Sequence, residues 1–104
     1  MQIVNENDWI LFRSKIGSWQ EKYMEKLCGE YVELLSSGAA ASERFWTLEK
    51  RIKSDRISPG VIIEMRRSAL FENLVSLFNN GVICDDDLEG FSDEIRKTVK
   101  EFVR

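Results

Sequence analysis

Apolar residues recur every three or four positions along most of this chain, which is the spacing of amphipathic helices. The longest series predicts a first helix over 8–36. Its stripe consists of large side chains: Trp9, Phe12, Ile16, Trp19, Tyr23, Leu27, Tyr31 and Leu34. At 1.5 Å per residue this helix would be about 42 Å long, whereas a compact domain of this size has a radius of gyration of about 13 Å. We therefore expect it to project beyond its own domain or to lie along a partner.

Two further helices are predicted in the middle of the chain. Phe45, Leu48 and Ile52 form a narrow apolar stripe that predicts a helix over 42–54. The next helix is predicted over 59–80, because Ser58 can cap its start and it would be apolar on two nearly opposite faces. A helix of this kind is usually packed between others, so we interpret it as the central one. The β-branched residues at 61–63 could instead favour a strand and fray its first turn.

A last helix is predicted over 85–104, with three aspartates in its first turn, where the helix dipole favours negative charge. Gly90 and Ser92 leave open whether this helix continues, bends or splits in two. The pattern as a whole predicts an all-α protein, an antiparallel bundle of four helices, or five if the last one splits. With 104 residues and no internal repeat or linker, we expect one domain over 1–104.

Composition narrows the classes of protein that the chain can belong to. It has no histidine, and its two cysteines, Cys28 and Cys84, are far apart, so a structural zinc site is disfavoured. We expect both thiols to be reduced and buried. No apolar run approaches the ~20 residues of a membrane span, and no basic-then-apolar leader is visible. These features predict a cytoplasmic protein that does not contact the membrane.

Charge is unevenly distributed along the chain. The net charge is −3, yet residues 42–67 carry seven basic and four acidic side chains. The basic cluster at 44–67 could contact phosphates, and two helices joined by a short connection superficially suggest a helix-turn-helix motif. However, the connection contains Pro59, and the following helix is too apolar for an exposed recognition helix. A solvated face, or a dock for an acidic surface, is the preferred interpretation, and nucleic acid is a disfavoured partner.

The segment Asp85–Gly90 has the spacing of oxygen ligands found in an EF-hand loop. Arg96 stands at the position of the bidentate glutamate, and Ser92 stands where an apolar residue belongs. Helix capping explains the same aspartates without calcium. Without histidine or a glycine-rich phosphate loop, the chain also lacks a recognisable catalytic constellation. We therefore predict no catalytic residues, no metal site and no cofactor, and we do not expect an enzyme.

Three segments carry a resemblance to a known group of proteins. They are Phe45-Trp46-x-Leu48-Glu49-Lys50-Arg51-Ile52-Lys53, then Ser58-Pro59-Gly60-Val61, and then Gly81-Val82-Ile83 continuing through Leu88 to Phe91-Ser92-Asp93. In these segments the chain resembles small, uncharacterised all-helical proteins of gut Firmicutes, whose genes tend to lie near phage or conjugative-element genes. The resemblance covers most of the chain and implies an accessory or regulatory role near mobile elements. It implies no activity and no site residues.

The predicted function is protein–protein interaction by a small accessory or regulatory protein that forms a homo-oligomer through its first helix. The alternative is a nucleic-acid-associated regulator that uses the basic cluster. The predicted interaction surface combines the aromatic start of the first helix with two bases of the second: Trp9, Phe12, Ile16, Trp19, Tyr23, Arg51 and Lys53. The other partner is a protein that these patterns do not identify.

One charged residue falls within an apolar face. By helical phase Arg67 would lie among Ile63, Leu70 and Phe71 on the predicted central helix. An unpaired buried charge is costly, so its guanidinium should reach an acid or extend to water. Glu30 is the acid within the apolar stripe of the first helix, and we hypothesise a buried Glu30–Arg67 pair within one chain or across a dimer. The alternative is an Arg67 whose head bends into water at the rim of the bundle.

Overall fold

The computed structural model describes residues 4–103, and all regular secondary structure within those residues is helical. Four α-helices follow one another: α1 (Glu6–Leu35), α2 (Ala41–Asp55), α3 (Leu70–Asn79) and α4 (Asp93–Phe102). Two 3₁₀ turns, Arg67–Ala69 and Asp85–Leu88, precede α3 and α4. The prediction of an all-α protein is therefore confirmed. Among residues 4–103, no helix is long and apolar enough to cross a membrane.

The first helix determines the shape of the molecule. Asn5 caps α1 by accepting a hydrogen bond from the backbone N–H of Asn7 at 2.7 Å. Thirty residues of α-helix measure about 45 Å, which is most of the longest molecular dimension of 52 Å. The radius of gyration is 16.4 Å, above the ~13 Å of a compact domain of this size. α1 therefore extends beyond the compact part of the molecule, and different elements pack on its two halves.

The hydrophobic core surrounds the N-terminal half of α1. Phe12 is completely buried, and Ile16 and Trp19 pack in the same cluster. The remaining buried members come from α3, from α4 and from the segment between them: Leu70, Leu74, Leu77, Ile83, Leu88, Phe91, Ile95 and Val99. The apolar stripe of α1 is thus satisfied within the chain over this half of the helix.

The C-terminal half of α1 packs against α2 instead, and we call this pair of segments, residues 24–56, the arm. Leu27 is buried there, but no residue of α2 is buried. At the closed end of the arm, Arg44 donates hydrogen bonds to the carbonyl oxygens of Leu35 and Ala39, at 2.8 and 2.9 Å. The first bond satisfies a carbonyl that the end of α1 would otherwise leave unpaired, and the second holds the loop that leads into α2.

The helix predicted over 59–80 forms only over Leu70–Asn79, so its first half was wrong. Turns occupy 56–61, and 62–66 is irregular. The cause is local. β-Branched side chains disfavour the helix at 61–63. Within that run Ile62 points into solvent while Ile63 packs against the core, which is the alternation of an extended chain. Asn73 stabilises the extended segment by donating to the carbonyl oxygen of Glu64 at 2.9 Å.

The last predicted helix is split, which the sequence had left open. Gly90 has a positive φ of 94°, a conformation that suits glycine, and it separates the 3₁₀ turn Asp85–Leu88 from α4. Ser92 then caps α4, because its Oγ accepts a hydrogen bond from the N–H of Ile95 at 3.3 Å. Both oxygens of the buried Asp8 in turn accept hydrogen bonds from Ser92, from its N–H at 2.8 Å and its Oγ at 2.6 Å. The start of α1 therefore fixes the start of α4.

Candidate interaction surface

A polar network holds the two helices of the arm together. The hydroxyl of Tyr31 donates to Asp55 at 2.6 Å, and Arg51 donates to Glu30 at 2.7 Å. Arg51 also lies 3.4 Å from the same Asp55 oxygen, and its guanidinium carbon is 5.5 Å from the centre of the Tyr31 ring. Two residues of α1 and two of α2 thus share one set of contacts. This arrangement fixes how the two helices lie against each other.

The network changes the acid–base behaviour of its members. Burial, and then the hydrogen bond to Asp55, raise the pKa of Tyr31 to about 12. The hydrogen bond to Glu30 is the main cause that raises the pKa of Arg51 above its usual value. Tyr31 is therefore a neutral donor and Arg51 a fixed cation at any physiological pH.

The loop after α2 closes the open end of the arm against the middle of α1. Gln20 donates to the carbonyl oxygen of Pro59 at 3.1 Å. Gly60 is buried beneath Tyr23, so close that a Cβ at this position would lie 2.2 Å from the ring carbon Cδ2. Packing against Tyr23 therefore requires glycine at this position.

Large apolar side chains remain in water along the arm. Phe45 is 62 % exposed and Trp46 61 %, and their rings contact each other edge-on with centroids 4.9 Å apart. Ile52 and Leu35 are also exposed. A pair of contacting aromatic side chains that stays exposed in this way is typical of a surface that binds another molecule.

Two shallow pockets lie beside Ile52 and Arg56, toward the other end of α2. The first has a volume of about 180 Å³ and is bounded on the α1 side by Met24, Leu27, Cys28 and Tyr31. The second, of about 150 Å³, lies on α2 itself between Glu49 and Lys53. Both are open to solvent at the surface of the arm, so they could receive a protruding side chain but could not enclose a substrate.

No protein-family model, curated protein or solved structure matches the chain. Function must therefore be inferred from the geometry of the arm and of the residues that the sequence singled out.

The structure separates the residues of the predicted interaction surface. Phe12, Ile16 and Trp19 are buried in the core and cannot contact a partner while the chain is folded, so this part of the prediction was wrong. Trp9 and Tyr23 are half-buried. The physical reason is that α3 and α4 pack on the N-terminal half of α1 and cover its aromatic stripe.

The two basic residues of that prediction lie on the arm. Arg51 is half-buried in the polar network. Lys53 is exposed, lies 3.9 Å from Glu49, and borders the second pocket. These two residues therefore lie on the arm and not beside the start of α1.

The hypothesised Glu30–Arg67 pair does not form within the chain. Glu30 pairs with Arg51, and its second oxygen is 3.9 Å from Lys26. Arg67 is exposed and forms an ion pair with Glu6 and a hydrogen bond to the carbonyl oxygen of Val4. The alternative, in which the head of Arg67 reaches water, agrees with this exposure. The buried pair failed because Arg67 does not belong to a helix that faces Glu30.

The basic cluster at 44–67 is largely neutralised within the chain. Four of its seven cations form ion pairs with carboxylates: Arg51, Lys53, Arg66 and Arg67. Arg44 donates to backbone carbonyls. Among residues 4–103, only the side chains of Lys50 and Arg56 from this cluster have no such partner. A phosphate backbone would have to compete with these carboxylates, which disfavours a nucleic-acid interface here.

The cysteines and the acidic segment are the other features that the sequence singled out. Cys28 and Cys84 are free but exposed, so the expectation of buried thiols was wrong. In the acidic segment, Asp87 accepts from the N–H of Cys84 at 2.8 Å and Asp85 pairs with Lys100 at 2.9 Å. Within the described part of the chain, no three His, Cys, Asp or Glu side chains gather as metal ligands.

The interaction surface predicted from the sequence did not include Trp46. The signal was available, because residues at i and i+1 do not face the same side of a helix. Two adjacent aromatics, Phe45 and Trp46, therefore cannot both enter one narrow core stripe. The first pocket had no such signal, since it depends on how α1, α2 and the loop at Val61 meet.

Proposed function

We propose that the chain is a non-catalytic accessory or regulatory protein that acts by protein–protein interaction, with the α2 side of the arm as its binding surface. The observation that carries the proposal is the pair of contacting aromatics, Phe45 and Trp46, each about three-fifths exposed on a helix without a buried residue. Aromatic side chains are enriched among the residues that dominate binding energy at protein interfaces.

Preorganisation supports the same proposal. The network of Tyr31, Arg51, Asp55 and Glu30 holds α2 in place before any partner arrives. A surface that is already ordered loses less conformational entropy on binding. Along the arm, Leu35 contacts Arg44 and Glu30 contacts Arg51, so positions fall along α1 as they rise along α2. That order supports antiparallel packing, which we retain as part of the proposal.

A nucleic-acid-associated regulator is the alternative, and the specific observation in its favour is that the side chains of Lys50 and Arg56 have no ion-pair partner among residues 4–103. The ion pairs of the remaining cluster count against it. The resemblance to small uncharacterised proteins whose genes tend to lie near mobile elements agrees with either regulator, since it implies a role but no partner.

The test uses the tagged full-length protein in its native cell. Partners that co-purify with the unaltered chain should be lost from the double variant Phe45→Ser/Trp46→Ser and retained by Ile10→Ser. Ile10 is the matched control, because it is an exposed apolar residue of α1 outside the arm. Equal recovery with the double variant would overturn the proposal. Salt-sensitive DNA or RNA retention that Lys50→Gln/Arg56→Gln abolishes would favour the alternative.

A further inference from the structure

The aromatic pair and the two pockets lie at opposite ends of one face of α2. At about 100° per residue, Phe45, Ile52 and Arg56 follow one line along the helix, with Glu49 beside them. Phe45 and Arg56 are eleven residues apart, which is about 16 Å along the axis. Projections and depressions on the same face at different heights are what a self-complementary surface requires.

We propose that the partner of this surface is a second copy of the chain, bound antiparallel about a two-fold axis near Glu49. This inference rests on the proposed function and names its partner. The axis places the two α2 helices antiparallel and face to face. Each Phe45 therefore reaches the pocket that is bounded by Ile52 and Cys28 of the other copy. A pocket of about 180 Å³ is sufficient for a phenyl ring, because an apolar cavity of about 150 Å³ holds benzene.

The same rotation places the second aromatic. A two-fold axis perpendicular to both helices keeps each side of one helix over the same side of the other. Trp46 lies on the side of Phe45 that faces away from α1, as the second pocket does. Its ring therefore meets Lys53 and Arg56 of the other copy, and a cation over a tryptophan face is a favourable contact.

Charge near the axis follows from the same register. With Phe45 opposite Ile52 of the other copy, the two Glu49 side chains lie nearest the axis. Like charges that meet across an interface cost affinity, but each Glu49 lies 3.9 Å from Lys53 of its own chain, and this cation offsets the repulsion.

The exposed area agrees with a dimer of ordinary size. At about 200 Å² per aromatic side chain, Phe45 and Trp46 leave roughly 250 Å² in water. A standard interface buries about 800 Å² on each partner, of which about 65 % is apolar in homodimers. The two aromatics thus supply about half of the apolar area, and Ile52 with the walls of the first pocket supplies more.

The first experiment measures the mass of the full-length protein by sedimentation between 1 and 100 µM. We expect a monomer–dimer equilibrium that weakens at least 30-fold in Phe45→Ala, the change that a dominant interface residue produces. Trp46→Ala should weaken it as well. Ile10→Ala should leave it unchanged, and circular dichroism should show equal helicity, because these side chains are exposed.

The second experiment locates the contact. In a Cys84→Ser background, Phe45→Cys should be joined by a short bismaleimide to Cys28 of another molecule, and peptide mapping should identify that link. The same variant with Cys28→Ser should lose it. A link between two copies of position 45, or a dimer indifferent to Phe45→Ala, would overturn the antiparallel arrangement.

The outcomes separate this inference from the proposed function. A chain that stays monomeric at 100 µM overturns the second copy as partner. If Phe45→Ser/Trp46→Ser still loses co-purifying proteins in that case, the proposed function stands with a different protein on the same surface. If neither dimerisation nor co-purification depends on the arm, both proposals fail.

Discussion

Gly60 illustrates how a single residue controls the position of a loop. A Cβ at this position would lie 2.6 Å from Cγ of Tyr23, where the ring joins its stem, so the whole ring must move. We expect Gly60→Ala to lower the free energy of unfolding by about 1–3 kcal/mol, the usual cost of overpacking. Denaturant unfolding monitored by circular dichroism measures this change.

Gly29→Ala is the matched control for that substitution. Gly29 lies inside α1 with no atom within 4 Å of a built Cβ, so alanine should raise the unfolding free energy by about 0.5–1 kcal/mol. Adding Tyr23→Ala to Gly60→Ala should cost less than the sum of the two single changes, because the clash disappears. Additive losses would show that the ring is not what excludes the side chain.

Asp8 carries the second residue-scale prediction. Its carboxylate is 3 % exposed and accepts both hydrogen bonds that Ser92 donates. Asp8→Ala would leave these donors unpaired, and we expect it to lower the unfolding free energy by about 1–3 kcal/mol. Asp93→Ala is the control at the same end of α4. Asp93 is fully exposed, so its loss should cost less than about 1 kcal/mol. Equal losses would refute the special role of Asp8.

At the level of elements, the sequence predicted α1 to within two residues at either end, because Trp9 to Leu34 keep one unbroken phase. The prediction of a helix over 59–80 was wrong in its first half, where the backbone preference of single residues opposes the helical pattern. Leu70, Leu74 and Leu77 carry a true helical stripe, but the helix does not extend back to Pro59, because Val61–Ile63 prefer extended backbone, the alternative that the sequence had left open.

The candidate surface was predictable only in part. Phe12 and Trp19 belong to an apolar stripe that would look the same in the sequence if a partner covered it or if α3 and α4 did. Periodicity therefore could not distinguish core from interface. Arg51 lies in a helix that the sequence predicted, but its contacts with Glu30 and Asp55 depend on the packing of the arm. Helical periodicity along the sequence does not determine which segments contact each other in the folded chain.

Tyr31 makes the stability of the arm sensitive to alkaline pH. Its pKa is raised from 10.0 to about 12 in the folded chain. Below pH 10 the hydroxyl is protonated in both the folded and the unfolded state, and its stabilising contribution is fully present. Between pH 10 and 12 the unfolded chain loses this proton first, so the unfolding free energy falls, by at most about 1.4 kcal/mol per pH unit.

The variant Tyr31→Phe isolates this effect. We expect the unaltered chain to be more stable than the variant at pH 8 and the difference to shrink steadily above pH 10. Urea unfolding from pH 8 to 11.5, followed by circular dichroism, measures both. A difference that stays constant or grows with pH would contradict the assigned hydrogen bond to Asp55.

On the scale of the whole molecule, the two halves of α1 belong to regions of unequal stability. The first half lies in a core with eleven buried apolar residues, whereas α2 contributes none. Local opening depends on the apolar contacts that must be lost, so an element with few of them opens more often. We therefore expect backbone amides of α2 to exchange with deuterium faster than those of α3 and α4, at protein concentrations where the chain is monomeric.

Raising the protein concentration should then change the rate of amide exchange only in the arm. If two copies pair through the arm, raising the protein from below 1 µM to 100 µM should slow exchange in α2 and in residues 24–35, and leave α3 and α4 unchanged. The variant Phe45→Ala should keep its fast exchange in α2 at both concentrations. Protection that appears around Ile10 or Phe102 instead, both exposed outside the arm, would place the contact on the core end of the molecule. Because exchange reports each segment separately, this measurement distinguishes a chain that dimerises through another surface from a chain that does not dimerise.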